Sequence, residues 1–357
     1  AVGGCGGAVL DFAGYNVSRE FYVNDAGNQI AKFGLSLDIR YQQLFLGEDA
    51  VQLPEDSYHG EDIIERAKEF AAVNGDKYMS ASEQERRQAL IDFALPKNIA
   101  AMKENMAKYR INYDTWFLES TLHNDGELEE TLNIMRDKGL TYEKDGALWY
   151  KNKEVLAAKL REQGKSEEEI ERLELKDEVL IRTNGNPTYF AADIAYHRNK
   201  FAVRGFDKVI NIWGADHHGH VARLKGAMDA LGLDGTNRLD IVLMQLVKLV
   251  RDGEVVRMSK RTGKAISLTD LLDEIPVDAC RYFFNAKPET QMEFDLGLAV
   301  REDSENPVYY VQYAHARICS ILKKMESEGV QFVGAEHIDA TLLTEPSEMD
   351  LIRMLAA

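Results

Sequence analysis

Lys208-Val209-Ile210-Asn211-Ile212-Trp213-Gly214-Ala215-Asp216-His217-His218-Gly219-His220 is the stretch on which the fold turns. Its opening, 208–213, reads as a strand, and 218–231 reads as a helix that Gly232 closes. A second strand follows over 239–246. Strand, helix and strand within about forty residues make a parallel crossover unit, because parallel neighbours need a connection of a dozen residues or more. The predicted fold is therefore α/β, a doubly wound parallel sheet. Such sheets take ligands beyond the carboxyl ends of their strands, and the loop at Gly214 stands at such an end.

Just upstream, 179–182 and 187–190 flank Asn184-Gly185, a strong hairpin signal, and predict two strands. Residues 151–178 are densely charged, with Ser166-x-x-Glu169 opening a solvated helix. Earlier, 60–150 reads as an α+β insertion. Ile63, Ile64, Ala67, Phe70 and Ala71 keep helical spacing, Ser82 and Glu85 make a capping box, and Pro96 is expected to kink or stop that helix. Leu128, Leu132 and Met135 give a further helix closed by Gly139, while 113–118 and 147–150 read as strands, the second after an Asp145-Gly146 turn. Before it come a helix from residue 8, a strand over 17–23, and a second helix opened by 24–29 with Asp25 and Asn28 as caps. Beyond Pro307 the chain is helical and reads as the start of a further helical domain. The first residue is Ala1 and the last helical pattern runs into Ala357, so both ends are expected to be cuts.

Composition narrows the function. Of 357 residues, 43 are Lys or Arg and 60 Asp or Glu, a net charge of −17. A field of that sign repels phosphate, which excludes a protein that coats nucleic acid generally and leaves only local contacts. Cys5, Cys280 and Cys319 lie far apart, so neither a cysteine zinc site nor a disulfide framework is expected, in keeping with a reducing cytoplasmic setting. No apolar run approaches the ~20 residues of a membrane span.

Two constellations carry chemistry. In the first, around Gly214, a glycine lets backbone approach a ligand, Asp216 is suited to accept ribose hydroxyls, and a helix N-terminus follows. A zinc reading of the three histidines fails on spacing, since His217 and His218 are adjacent and neighbours on a helix do not converge. In the second, 248–251 and 254–258 form a hairpin about Asp252-Gly253 and deliver Met258-Ser259-Lys260-Arg261-Thr262-Gly263-Lys264 as a loop. From 248 to 264 there are six basic residues and two acidic ones, a local +4 that repels itself unless an anion is expected there.

Arg257-Met258-Ser259-Lys260-Arg261 resembles the Lys-Met-Ser-Lys-Ser loop of class I aminoacyl-tRNA synthetases, and Gly214-x-Asp216-x-x-x-His220 resembles their ribose-binding motif. Thr188-Tyr189-Phe190-Ala191-Ala192-Asp193-Ile194-Ala195-Tyr196-His197 is similar to the amino-acid pocket of arginyl-tRNA synthetases, as are the segments 21–29 and 306–317. The resemblance implies a class I synthetase Rossmann-like catalytic domain. It implies Lys260, with Arg257 and Ser259, as the catalytic set, and Gly214, Asp216, His220 and Met258 as ATP-binding residues. It assigns arginine to Tyr189, Asp193 and, at the edge of the pocket, His217, with Asn24, Asp25 and Gln29 beside the active centre. A carboxylate such as Asp193 suits a guanidinium through two parallel hydrogen bonds that an ammonium cannot reproduce.

The implied activity is that of an arginine-tRNA ligase. It joins L-arginine to the 3′ end of tRNA(Arg) by way of arginyl-adenylate, uses ATP with Mg2+, has no metal site of the protein's own and no membrane or DNA partner, and needs bound tRNA for activation. The sequence departs from the family pattern in Arg257 and Arg261, and in lacking the family's His-Ile-Gly-His motif at the first strand-to-helix turn. The letters of His217-His218-Gly219-His220 follow a late strand instead. Taking them as the chain's own motif gives the alternative of a compact nucleotidylyltransferase, and a non-catalytic RNA-binding remnant is a second alternative. The expected domains are 1–50 and 179–300 as two halves of the catalytic domain, 51–178 as a connective insertion, and 301–357 as the start of an anticodon-binding domain.

Overall fold

The computed structural model describes residues 1–256, 266–287, 290–330, 334 and 337–356. The chain forms two compact units, Ala1–Leu296 and Gly297–Ala357.

The first unit opens with α1 (Val2–Phe12), β1 (Glu20–Val23) and α2 (Gly27–Leu46). The first helix thus starts well before residue 8. It does so despite four glycines, each costing about 1 kcal/mol relative to alanine in a helix. Close approach accounts for them in part, because a Cβ on Gly3 would stand 3.3 Å from Ile212 and one on Gly7 would stand 3.1 Å from Arg19 Nε. The helix α2 has Ala26 as its N-cap, with no side-chain cap, so neither Asp25 nor Asn28 caps it.

Next come α3 (Glu61–Asn74) and α4 (Glu83–Lys108). Ser82 caps α4 by accepting from the Glu85 N–H. Pro96 does not stop α4, which continues to Lys108. Leu90 and Ala94, just before the proline, are buried with Leu37 and Tyr41 of α2 and Phe70 of α3, and that packing outweighs one lost backbone hydrogen bond.

The strand β2 (Thr115–Leu118) then pairs in parallel with β1, Glu20 beside Thr115 and Val23 beside Leu118. The span 51–178 therefore lends a strand to the parallel framework. After it come α5 (Glu119–Asn124), α6 (Glu127–Asp137), β3 (Thr141–Lys144) and β4 (Ala147–Tyr150). Asp145 and Gly146 both have positive φ, +52° and +75°, as a tight hairpin demands. The charged stretch folds as α7 (Asn152–Glu162) and α8 (Glu167–Glu171), the latter with a full capping box on Ser166.

The strand β5 (Glu178–Ile181) joins β4 antiparallel, and the expected second arm at 187–190 shrinks to a single bridge between Ile181 and Pro187. Thr188 ends it. Its N–H donates to Leu180 O at 2.8 Å, and its hydroxyl accepts from Ala191 N–H, capping α9 (Tyr189–Arg198). A π-helical turn, Asn199–Val203, follows.

The crossover unit forms as expected: β6 (Val209–Gly214), α10 (His218–Ala230) and β7 (Leu239–Met244) after a short α11 (Gly235–Arg238), with β6 and β7 parallel from Val209–Leu239 to Gly214–Met244. Leu180, Ile194, Leu224, Met228 and Leu239 are fully buried in the core this unit shares with β4, β5 and α9. The unit ends with β8 (Val247–Arg251), β9 (Glu254–Val255), α12 (Leu268–Glu274), α13 (Val277–Ala286) and β10 (Met292–Asp295), β8 pairing antiparallel with β9 and parallel with β10. A short helix, α14 (Leu296–Ala299), crosses into the second unit, which is helical, with α15 (Pro307–Ser327) and α16 (Pro346–Ala356). Among the described residues no helix is long and apolar enough to cross a membrane.

Candidate active site

Because β1 and β2 run in parallel and in register, their carboxyl ends present Asn24-Asp25 and Glu119-Ser120 side by side. Asp25 accepts the Ser120 N–H at 2.8 Å and the Ser120 hydroxyl at 2.6 Å. It therefore caps α5, a helix remote in sequence, rather than α2. Asn24, with its amide nitrogen turned toward Glu119 so that both polar atoms are satisfied, donates to Glu119 Oε2 at 2.8 Å and to Ala26 O at 3.2 Å. The Tyr22 hydroxyl stands beside Glu119. Glu119 is only 4% exposed. Burial pushes its carboxyl above the usual carboxylate range. The Tyr22 hydroxyl opposes this, and the nearby charges of Asp193 and Asp25 add to it.

Asp193 reaches the same place from α9. Tyr189 and Asp193 are one turn apart on that helix, with Tyr189 49% exposed at its start. The far end of α9 is anchored behind the site. His197 is buried, its Nδ1 lies 2.7 Å from Asp193 O, and its Nε2 lies 2.7 Å from the Asn211 amide of β6. Burial pushes the His197 imidazole down to about 4. Tyr196 donates to Glu20 of β1, and its ring lies 4.7 Å from those of Tyr22 and Phe117. Arg204 also donates to Glu20, and Lys200 sits 3.8 Å from it. Burial alone would raise Glu20, but the hydrogen bonds from Arg204 and Tyr196 and the Lys200 charge outweigh it and hold the group below its usual range. Burial lowers the Lys200 ammonium to about 8.

The Gly214 loop supplies the third side. Gly214 has an extended conformation that any residue tolerates, so its value is space: a Cβ there would collide with the Asp216 carboxylate. Asp216 is largely exposed, with His217 Nε2 3.6 Å from its Oδ2. Trp213 lies between two histidines, its ring 5.9 Å from that of His217 and 5.3 Å from that of His220. His220, on the first turn of α10, turns inward and meets Asp193, Nε2 to Oδ2, at 2.8 Å. The residue assigned to ribose and the residue assigned to arginine are thus joined directly.

Of the residues singled out in the sequence, the structure brings together Asn24, Asp25, Asp193 and His220. Tyr189 opens the helix that bears Asp193, Gly214 and Asp216 form the adjoining loop, and Gln29 stands exposed on the first turn of α2. Arg257, Met258, Ser259 and Lys260 lie outside the described residues. The sequence reading passed over Glu119, Tyr22 and Arg223. A carboxyl directly after a predicted strand was the available signal for Glu119, because that position is a strand's carboxyl end.

The family model described as tRNA synthetases class I (R), catalytic domain, matches residues 1–302, and that of the DALR anticodon binding domain matches 311–357. Over all 357 residues the chain is similar to an arginine–tRNA ligase of Ruminiclostridium cellulolyticum, 56% identical, and to one of Caldanaerobacter subterraneus subsp. tengcongensis, 57% identical. It spans about 60% of the length of each. Among solved structures it is similar to a putative arginyl-tRNA synthetase from Campylobacter jejuni, at a TM-score of 0.73 and 39% identity, covering 89% of this chain and 65% of that one. The fold is also that of a Thermus thermophilus arginyl-tRNA synthetase, at a TM-score of 0.66 and 19% identity, covering 97% and 64%.

Proposed function

The chain belongs to the class I arginyl-tRNA synthetase family, and on that premise we propose that it carries the site where L-arginine is activated with ATP and passed to the 3′ end of tRNA(Arg). One observation supports the reading most: the carboxyls of Glu119 and Asp193 converge at the carboxyl ends of the parallel strands, close enough for the Asp193 charge to act on Glu119. Two acids held near each other, one of them buried, call for a cation that spreads its charge and donates in a plane. A guanidinium does both, and a lysine ammonium does not. Tyr189 closes this pocket, with His217 at its rim.

On the nucleotide side we assign Gly214 and Asp216 to the ribose and Met258 to the adenosine, with His220 at the seam between the two substrates. The arginine carboxylate attacks the α-phosphorus of ATP, an oxygen–phosphorus bond forms, and pyrophosphate leaves with the bond it held. A terminal ribose hydroxyl of tRNA then attacks the carbonyl of the mixed anhydride and displaces AMP. The protein's part is positioning and charge stabilisation. Lys260 is our choice for the leaving pyrophosphate, with Arg257 and Ser259 beside it. Among the described residues no group of three His, Cys, Asp or Glu side chains is arranged to hold a metal. Magnesium would arrive on the ATP phosphates, keeping much of its water. The 311–357 segment would contribute to tRNA binding, 51–178 would serve as the connective insertion, and the setting would be the cytoplasm.

A nucleotidylyltransferase using His217–His220 as its own motif loses ground because both nitrogens of His220 are engaged within the protein. Calorimetric titration with a non-hydrolysable arginyl-adenylate analogue, beside the lysyl analogue, tests the proposal. Selective binding of the arginyl form is expected. Equal binding of the two would keep the adenylate site and remove arginine as its substrate.

A further inference from the structure

His220 has a second partner. Its Nδ1 lies 2.7 Å from Nε of Arg223, one turn along α10. A guanidinium offers only N–H donors, so Nδ1 has to be the acceptor, and the one ring proton sits on Nε2, donated to Asp193 Oδ2. Arg223 is itself held in place. Its NH1 donates to Glu178 Oε1 at 2.8 Å, and its guanidinium lies 5.2 Å from the centre of the Phe190 ring. The groups facing His220 are Asp193 and Phe190 from α9, Trp213 from β6 and Arg223 from its own helix, with His217 on the other side of Trp213.

A histidine paired with a carboxylate ordinarily invites a second proton, because the imidazolium and the carboxylate attract. Here that proton would have to enter at Nδ1, where an N–H would point at another N–H. An imidazolium on Asp193 would also occupy the charge that a substrate cation needs. We propose that Arg223 is a positioning residue for the arginine pocket: by filling Nδ1 with a group that only donates, it keeps His220 singly protonated and leaves the Asp193 carboxylate its full charge for the guanidinium. The inference rests on the arginine pocket proposed above.

The full chain, labelled with 15N histidine, tests both layers. His220 is identified by its loss in His220→Gln, and the nitrogen shifts show which ring nitrogens carry protons. In the parent at pH 6 we expect Nε2 protonated and Nδ1 bare. Arg223→Gln has nearly the same reach, but its amide turns to offer an oxygen, so Nδ1 gains a proton at pH 6. Calorimetry on this variant should show L-arginine bound about tenfold more weakly than by the parent at pH 6, with the gap closing by pH 8. Arg223→Lys keeps a donor-only cation and should behave as the parent. A protonated Nδ1 in the parent overturns the proposal, and so does equal weakening of Arg223→Gln at pH 6 and pH 8, which a merely structural role would give. If the ring protons follow expectation but the parent binds no L-arginine, the assignment of the His220 charge stands and the pocket reading falls.

Discussion

Glu119 holds its carboxyl in a place where ionisation is discouraged and a cation would be welcome. A carboxyl whose range is raised by folding binds its proton more tightly folded than unfolded, so its ionisation opposes folding as pH rises through that raised range. Glu119→Gln should therefore unfold at a higher temperature than the parent at pH 8, an advantage that disappears at pH 4, where both side chains are neutral. Arginine binding should fall in the same variant. Scanning calorimetry at the two pH values reads the first effect, and a variant less stable at pH 8 would contradict the burial argument. Asp193→Ala is expected to abolish arginine activation and to weaken ATP binding only modestly, through the lost bond to His220, and equal loss of both would count against a pocket role. Lys260→Ala should lower turnover by about 3–4 kcal/mol of barrier with little change in the apparent arginine constant. Asp193 could be singled out in the sequence because it belongs to a continuous segment. Glu119 was not, because only the pairing of β1 with β2, 95 residues apart, brings it beside Asp25.

At the scale of elements, α9 is the part on which the site depends. His197, clamped between Asp193 O and the Asn211 amide, is buried neutral. Its range is depressed, so between about 6.5 and about 4 the unfolded chain binds a proton that the folded chain refuses. Stability should fall across that window as pH falls, by on the order of 3 kcal/mol. Unfolding in denaturant at pH 7 and pH 4.5, for the parent and for His197→Gln, isolates this contribution, because the variant lacks the titrating group. A parent with no steeper pH dependence than the variant would sink the claim. The start of α9 also shows where local sequence reading stops. The Asn184-Gly185 turn formed, but a threonine that both bonds back to β5 and caps a helix converted the next arm from strand to helix within one residue. In α4, tertiary packing overrode a proline. The crossover unit was legible throughout, since strand, helix and strand each announced themselves by period and by a closing glycine. In α1, Gly6 has nothing within 4 Å of where a Cβ would go. Gly6→Ala should stabilise by about 0.5–1 kcal/mol, whereas Gly7→Ala has to displace Arg19 and should not. Thermal unfolding of the pair would tell them apart.

Across the molecule, charge and apolar surface pull in opposite directions. The net charge of −17 keeps copies apart, while Tyr310, Tyr313, Ile318 and Ile321 on α15 are each more than half exposed. Exposed apolar side chains gathered on one helix favour association. Raising salt screens the repulsion without weakening the apolar attraction. Light scattering on the 357-residue chain should therefore show association that grows between low and high salt, while a chain of residues 1–302 stays monomeric. Association that weakens with salt would point to ion pairs instead. The change to a helical pattern beyond Pro307 was readable, and α15 begins there. The parallel strand hidden inside 51–178 was not, because strand partnership is a property of the folded chain.

The hydrogen bond between Asp193 and His220 also bears on how such a pocket evolves. On the proposed assignment, an acid hydrogen-bonded to His220 would be hard to exchange for another side chain without disturbing the nucleotide side. A lineage that drifted toward another amino acid would have to rework the two sides together, crossing intermediates poor at both. On the proposed reading, the seam would make substrate choice conservative, a lock on descent as well as on chemistry.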